Sequence, residues 1–306
     1  MAKKILIKNA TIINEEKKFI SDLLIVDTKI FEIKPNIKIQ DDFEIIDATG
    51  KVLIPGLIDD QVHFREPGLT HKATIKSESK AAIAGGITSF IEMPNTIPQT
   101  TTFKELKRKF KIAEASSYAN YSFMFGATNS NLEEIKKIDK NEVAALKIFL
   151  GSSTGNMLVD DQDILRDIFL NTDLIIVVHS EDEQIINENL EKHKLKYGSN
   201  IPFEFHSKIR SEEACLKSTK KIIKLAKETN ARLHVFHLST KSESLLFDNS
   251  MPLKDKKITS EVCVHHLWFS DKDYKNKQSL IKWNPSIKTS EDRNGIWDAL
   301  LNDKID

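Results

Sequence analysis

Residues 53 to 64 read LIPGLIDDQVHF, and the change of pattern inside this stretch decides the fold. From Pro55-Gly56 onward, apolar runs of about six to nine residues alternate with amphipathic stretches whose apolar residues recur at three and four positions. That alternation marks βα units feeding a parallel sheet. After 53 to 64 the strand-like runs are GITSFIEMP (86 to 94), NYSFMFGAT (120 to 128), VAALKIFL (143 to 150), DLIIVVHS (173 to 180), RLHVFHLS (232 to 239) and ITSEVCVHHL (258 to 267). Helical segments lie between them, among them HKATIKSESKAAIAG, FKELKRKFKIAEASS, DDQDILRDIFLN and SEEACLKSTKKIIKLAKET. A closed (β/α)₈ barrel of the TIM type needs eight strands. Seven are readable, and the last helical segment, SEDRNGIWDALLND with a Ser-x-x-Arg cap region, is followed only by KID. The expectation is an α/β chain with this barrel at 53 to 306, lacking its eighth strand.

Upstream, KILIKNATII, SDLLIVDTKIFEI and FEIIDA are short alternating runs separated by polar turns. They predict a small antiparallel β unit over residues 1 to 52, part of a composite β-sandwich.

Composition narrows the partners. Lys and Arg together number 45 and so do Asp and Glu, so no excess positive charge is available for a nucleic-acid backbone or an anionic membrane. No apolar run approaches the roughly 18 residues of a membrane span, and the N-terminal apolar stretch is too short and interrupted for a signal peptide. Cys215 and Cys263 are too far apart for a CxxC site or a disulfide framework, which fits a reducing, cytoplasmic setting and two small core residues. A small-molecule partner is the expectation.

In barrels of this kind the chemistry sits at the C-terminal ends of the strands. The first such end carries Gln61, His63 and Arg65, which alternation places on one face. Lys147 interrupts the apolar run AALKIFL, where an unpaired ammonium is costly to bury. His179 and His237 close the fifth and sixth runs. A lone strand-end histidine is more often a hydrogen-bonded structural residue than a ligand, but three of them with a lysine, each from a different strand, point to a shared cation. His234, three positions before His237, falls on the opposite face and is expected to pack against a helix. His265 and His266 are read as structural, and His71, His193 and His206 as surface residues.

The segments PGLIDDQVHFREPG (55 to 68) and GGITSFIEMPNT (85 to 96) together resemble the dihydroorotases of the amidohydrolase superfamily. The likeness continues through LKIFLGSSTG, HSED, HLST, EVCVHHL and NPSIKTSEDR. The resemblance implies a metal-dependent cyclic amidohydrolase that interconverts N-carbamoyl-L-aspartate and dihydroorotate in pyrimidine synthesis. It implies one or two Zn²⁺ ions held by His63, Lys147, His179 and His237, with Lys147 carboxylated as a bridging ligand. It also implies a substrate bearing a carboxylate, bound by Arg65, Asn95 and Asn284. A homodimer or an association with a transcarbamoylase is the implied assembly.

Two positions depart from that pattern. Gln61 stands where the first histidine of an HxH pair is expected, and an amide oxygen is a poor zinc ligand. The resemblance also implies a metal-ligating, proton-moving aspartate on the eighth strand, which is expected to fall beyond residue 306. The metal position keeping Lys147, His179 and His237 is therefore expected to be the occupied one, and the chain by itself nearly inactive. Other cyclic amidases (hydantoinase, dihydropyrimidinase, allantoinase) and a metal-free scaffold partner are the alternatives.

Overall fold

The computed structural model describes residues 2–40, 42–151 and 156–306, so the SSTG portion of the LKIFLGSSTG motif lies outside the described residues. The chain divides into two compact units, Met1–Ile58 with Gly86–Ser89, and Asp59–Gly85 with Phe90–Asp306.

In the first unit, β1 (Lys4–Asn14), β2 (Lys17–Val26), β3 (Lys29–Lys34), β4 (Phe43–Asp47) and β5 (Val52–Leu53) form one sheet in the order β3-β2-β1-β4, with β5 also on β1. The expected antiparallel pattern holds for β1 with β2 and β2 with β3, but β4 and β5 both run parallel to β1, so the sheet is mixed. The reason is local. The register slips between Ile7 and Ala10, where Asn9 takes φ +58°, and the buried Asp22 carboxylate accepts both the Asn9 and Ile37 N–H groups at 2.9 and 3.0 Å. Fixing Ile37 there returns the chain to the start of β1 before β4 begins. Leu53, read as the opening of the first barrel strand, instead pairs with Ile12, beside the Val52–Thr11 pair.

The alternating strands and helices belong to the second unit, except that the first residues of two strands, Leu57–Ile58 and Ile87–Ser89, are counted with the first. β6 (Leu57–Val62), β7 (Ile87–Glu92) and β8 (Asn120–Phe123) form one sheet. β9 (Phe125–Gly126), β10 (Leu146–Phe149), β11 (Ile176–His179), β12 (Leu233–Val235) and β13 (Ile258–Ser260) form a second, parallel throughout. β8 and β9 are one expected run interrupted at Met124, so the seven runs occupy seven successive positions. Each strand is shorter than its apolar run, and the 258 to 267 run is a strand only to Ser260, becoming a short helix over Val264–Trp268. After Ile305, buried in the main core, Asp306 N–H donates to Ser260 O at 3.0 Å, and the Asp306 carboxylate accepts from Ser260 N–H at 3.2 Å.

Helices begin where the sequence supplies caps. Thr74, Thr102, Asp161 and Ser211 accept hydrogen bonds from the first turns of Ile75–Ala84, Phe103–Ser116, Gln162–Leu170 and Glu212–Thr229. The final helix, Ser290–Leu301, is capped one residue earlier than expected, by a Thr289–Asp292 capping box. Among the described residues, no helix is long and apolar enough to cross a membrane.

Alternation along these strands splits their side chains between two environments. Leu146, Ile148, Ile176, Val178, Leu233 and Val235 pack into the main core, whereas Ala145, Val177 and Phe236 join Met93 and Met124 in a separate inner cluster. Lys147 and His179 share the parity of that inner set.

Candidate functional site

The loops after β6 and β7 carry the two most selective motifs, and their contact explains why the motifs occur together. Arg65 takes φ +68° and Gly68 φ +83°. A Cβ on Gly68 would lie 2.0 Å from Ile97 O, so only glycine admits this approach, and Ile97 N–H donates to Pro67 O at 3.1 Å. Glu66 accepts the Ile75 N–H at 2.8 Å, which ties the same loop to the helix behind it.

This loop pair fixes His63. Its Nδ1 lies 2.9 Å from Asn95 Oδ1. An amide oxygen only accepts, so Nδ1 carries the proton and Nε2 keeps its lone pair. Burial, then the charges of Arg65 and Lys147, depress the imidazole pKa to about 3. His63 is thus a neutral ligand at any physiological pH, as metal binding requires. Arg65 is half-buried.

Lys147 is 1% exposed, and its Nζ has no hydrogen-bond partner among the described residues. It lies over the Phe236 ring at 4.1 Å and the Phe149 ring at 5.0 Å. Burial lowers its pKa to about 7, against the opposing pull of Glu261, Cys263 and Asp60. The charge of Lys147 bears on His63, His179 and His237 alike.

His179 and His237 meet directly, Nδ1 to Nε2 at 3.1 Å, with ring planes at 74°. Two nitrogens bound to one tetrahedral zinc at ordinary bond lengths stand about 3.3 Å apart, so this spacing suits a shared cation. Burial lowers the pKa of both rings. His237 Nδ1 is a second buried polar atom without a partner among the described residues. The donor set, neutral imidazoles beside an unpaired buried amine, fits a zinc centre.

His179 is held from behind. Its Nε2 lies 2.7 Å from Glu181 Oε2, and Arg210 grips the same fully buried carboxylate, with Nε at 3.1 Å from Oε1 and a second contact from NH2. Burial alone would raise the Glu181 pKa, but His179 and Arg210 overcome it and leave the acid at about 2. Sequence reasoning missed both residues. HSED held a signal, since Glu181 shares the parity of His179, but nothing local announces that Arg210 will pair with it.

Several expectations need correcting. His234 does not pack against a helix: Nδ1 meets Thr259 Oγ1 at 2.8 Å and Nε2 meets Glu261 Oε2 at 3.3 Å. His237 takes φ +43°, which ends the alternation, so residues three apart can both face inward. His206 is buried, with Nε2 2.7 Å from Trp283 O, and is not a surface residue; His193 is half-buried against Tyr197 and Phe205. Cys263 is half-buried rather than a core residue, and its thiol donates to Gln61 Oε1 at 3.1 Å. Asn284 is exposed and, among the described residues, makes no hydrogen bond to the His63, Lys147, His179 and His237 group. Asp60, His234 and Glu261 also bring one ligand atom each within 4.8 Å of one another.

Residues 50–243 match a family model described as dihydro-orotase-like. A dihydroorotase of Methanosarcina acetivorans is 31% identical over 98% of this chain and 65% of its own length. One from Carboxydothermus hydrogenoformans is 33% identical over 98% and 69%, and an allantoinase of Salmonella choleraesuis is 27% identical over 100% and 68%. The chain therefore spans about two-thirds of the length of the curated relatives it matches. An L-hydantoinase (dihydropyrimidinase) structure from Arthrobacter aurescens superposes with a TM-score of 0.90 at 25% identity, covering 100% of this chain and 68% of that one. Motifs, parallel α/β strands and the matched residues agree, and the chain belongs to the dihydroorotase-like family of the amidohydrolase superfamily.

Proposed function

We propose that this chain carries the metal-binding and substrate-orienting parts of a zinc-dependent cyclic amidohydrolase, and that its reaction is the interconversion of N-carbamoyl-L-aspartate and dihydroorotate. The observation that carries the reading is the 3.1 Å approach of His179 to His237 beside a buried, unpartnered Lys147 Nζ. His63, Lys147, His179 and His237 would hold the metal. Bound zinc would lower the pKa of water and polarise the amide carbonyl.

The chain's own groups divide the remaining work. With its pKa near 7, much of Lys147 is a neutral amine at physiological pH. It can therefore add CO₂ and release a proton, giving a carbamate whose negative charge would suit it to hold the metal. Asn95 keeps Nδ1 of His63 protonated and its Nε2 free, while its own NH₂ remains available to a substrate oxygen. Arg65 offers a planar fork for a carboxylate. Hydantoin and allantoin lack that carboxylate, which favours dihydroorotate over the substrates named for the allantoinase and hydantoinase relatives. Asn284 would complete the contact. Proton transfer is assigned by the resemblance to an aspartate on an eighth strand, beside β13 where Asp306 already pairs with Ser260. A preparation of residues 1 to 306 alone would then turn over slowly. The mixed sheet of the first unit would be one half of a composite β-sandwich.

Zinc-loaded protein assayed with dihydroorotate, hydantoin and allantoin tests this. Orotate should compete for the site, and Arg65→Met should weaken orotate by about tenfold or more at unchanged zinc content. Equal binding of orotate by both proteins would end the assignment to a carboxylate substrate. A protein that takes up no zinc would favour the scaffold reading, to which Gln61, engaged with Cys263, lends support.

A further inference from the structure

Past the end of β13 the chain gathers a second set of ligating atoms outside the group just described. Cys263, His265 and His266 each offer one, and the three lie within 4.8 Å of one another. We propose that they form a cation site of their own, for a borderline-soft divalent metal of the zinc class, with one thiolate and two imidazoles as ligands.

His266 gives the strongest sign that something is to be bound. The side chain is 3% exposed, and its Nε2 lies 3.2 Å from Pro285 O. A carbonyl only accepts, so Nε2 carries the proton and Nδ1 holds a bare lone pair. That Nδ1 is buried and has no partner among the described residues. A polar atom in this condition costs free energy until a ligand satisfies it. Trp283 stacks on His265 with centroids 4.3 Å apart and planes at 20°. The stack fixes the ring plane and leaves the nitrogens at its edge, where an in-plane ligand bond forms.

The thiol is also suited to the role. Cys263 donates to Gln61 Oε1, a neutral acceptor that loses one weak hydrogen bond if the proton leaves. Burial, and after it the neighbouring carboxyl groups of Glu261, Asp59 and Asp60, keep the thiol protonated in the metal-free protein. A divalent cation reverses that balance: the S–H bond breaks, the sulfur keeps the electron pair and bonds to the metal, and the proton passes to solvent. One sulfur and two nitrogens with a fourth position open is a zinc-type donor set, and one that Mg²⁺ and Ca²⁺ do not favour. None of the four residues assigned to the hydrolytic centre is a ligand here, so either site can fail alone.

Cobalt(II) serves as the spectroscopic probe. Titrating Co²⁺ into the 306-residue chain should give a thiolate-to-cobalt charge-transfer band in the near ultraviolet, its final intensity that of about one thiolate-bound cobalt per chain beside any cobalt held at the other centre. Cys263→Ser should abolish the band and Cys215→Ser should keep it. His265→Asn should weaken the affinity that the band reports by about tenfold or more. Lys147→Met should leave the band in place while removing visible cobalt absorption due to the other centre. A wild-type protein with no charge-transfer band, or a band that survives Cys263→Ser, overturns the proposal. Should the cysteine variant misfold, alkylation of the wild-type protein read by mass spectrometry decides instead. Zn²⁺ should slow modification of Cys263 by about tenfold or more, and an unchanged rate overturns the site.

Discussion

Lys147 shows how a single residue can be read correctly in place and incompletely in environment. Its position inside an apolar run indicated burial, and it is buried. It neither reaches the rim nor pairs with an acid; it rests on two aromatic rings with its pKa lowered to about 7. The folded state therefore binds fewer protons at this site than the unfolded state between about pH 7 and the ordinary lysine value of 10.5. Stability of the metal-free protein should rise with pH across that window, by a few kcal/mol at most. Urea unfolding of wild type and Lys147→Met at pH 7 and pH 9.5 checks this: the wild type should gain on the variant as pH rises, and parallel curves would refute it. His63 and His179 were legible for the same reason as Lys147, since strand parity sets their direction. His234 was misread because a positive φ at His237, which sequence does not announce, interrupts that parity.

At the scale of elements, five of the helices followed from local signals, although the last is capped by Thr289 rather than Ser290. A buried ion pair between elements did not. Lys109, on the helix Phe103–Ser116, is 1% exposed and joins Glu92 at the end of β7, while also donating to Met93 O at 2.8 Å. In the sequence Lys109 reads as one more polar residue of a lysine-rich helix. Replacing it by Met leaves the Glu92 carboxylate buried and unpaired, and should cost about 3 to 5 kcal/mol. Lys109→Met combined with Glu92→Met should recover most of that loss, because two apolar groups of similar volume need no partner. Chemical denaturation of the two proteins decides, and a double variant as unstable as the single one would contradict the account. The end of β13 was also beyond local reading: EVCVHHL continues the apolar run, yet the chain turns into a helix at Val264.

At the scale of the molecule, the first unit leaves large apolar side chains in water, with Ile20 70%, Ile30 62% and Phe31 71% exposed. Exposed large apolar side chains favour association. The 306-residue chain should self-associate, and Ile20→Lys with Phe31→Lys should return it toward a monomer in sedimentation velocity; unchanged association would place the contact elsewhere. The sequence by itself determined the strand and helix succession, the motifs that carry family membership, and the parity that aims His63, Lys147 and His179 inward. It could do so because period and strand parity are local properties of a chain. Only the tertiary structure decided how closely His237 approaches His179, that Arg210 grips Glu181 behind His179, and that Cys263 lies against Gln61. Those contacts join residues between 29 and 202 positions apart, and their distances depend on how separate strands and loops pack, which no short window of sequence encodes.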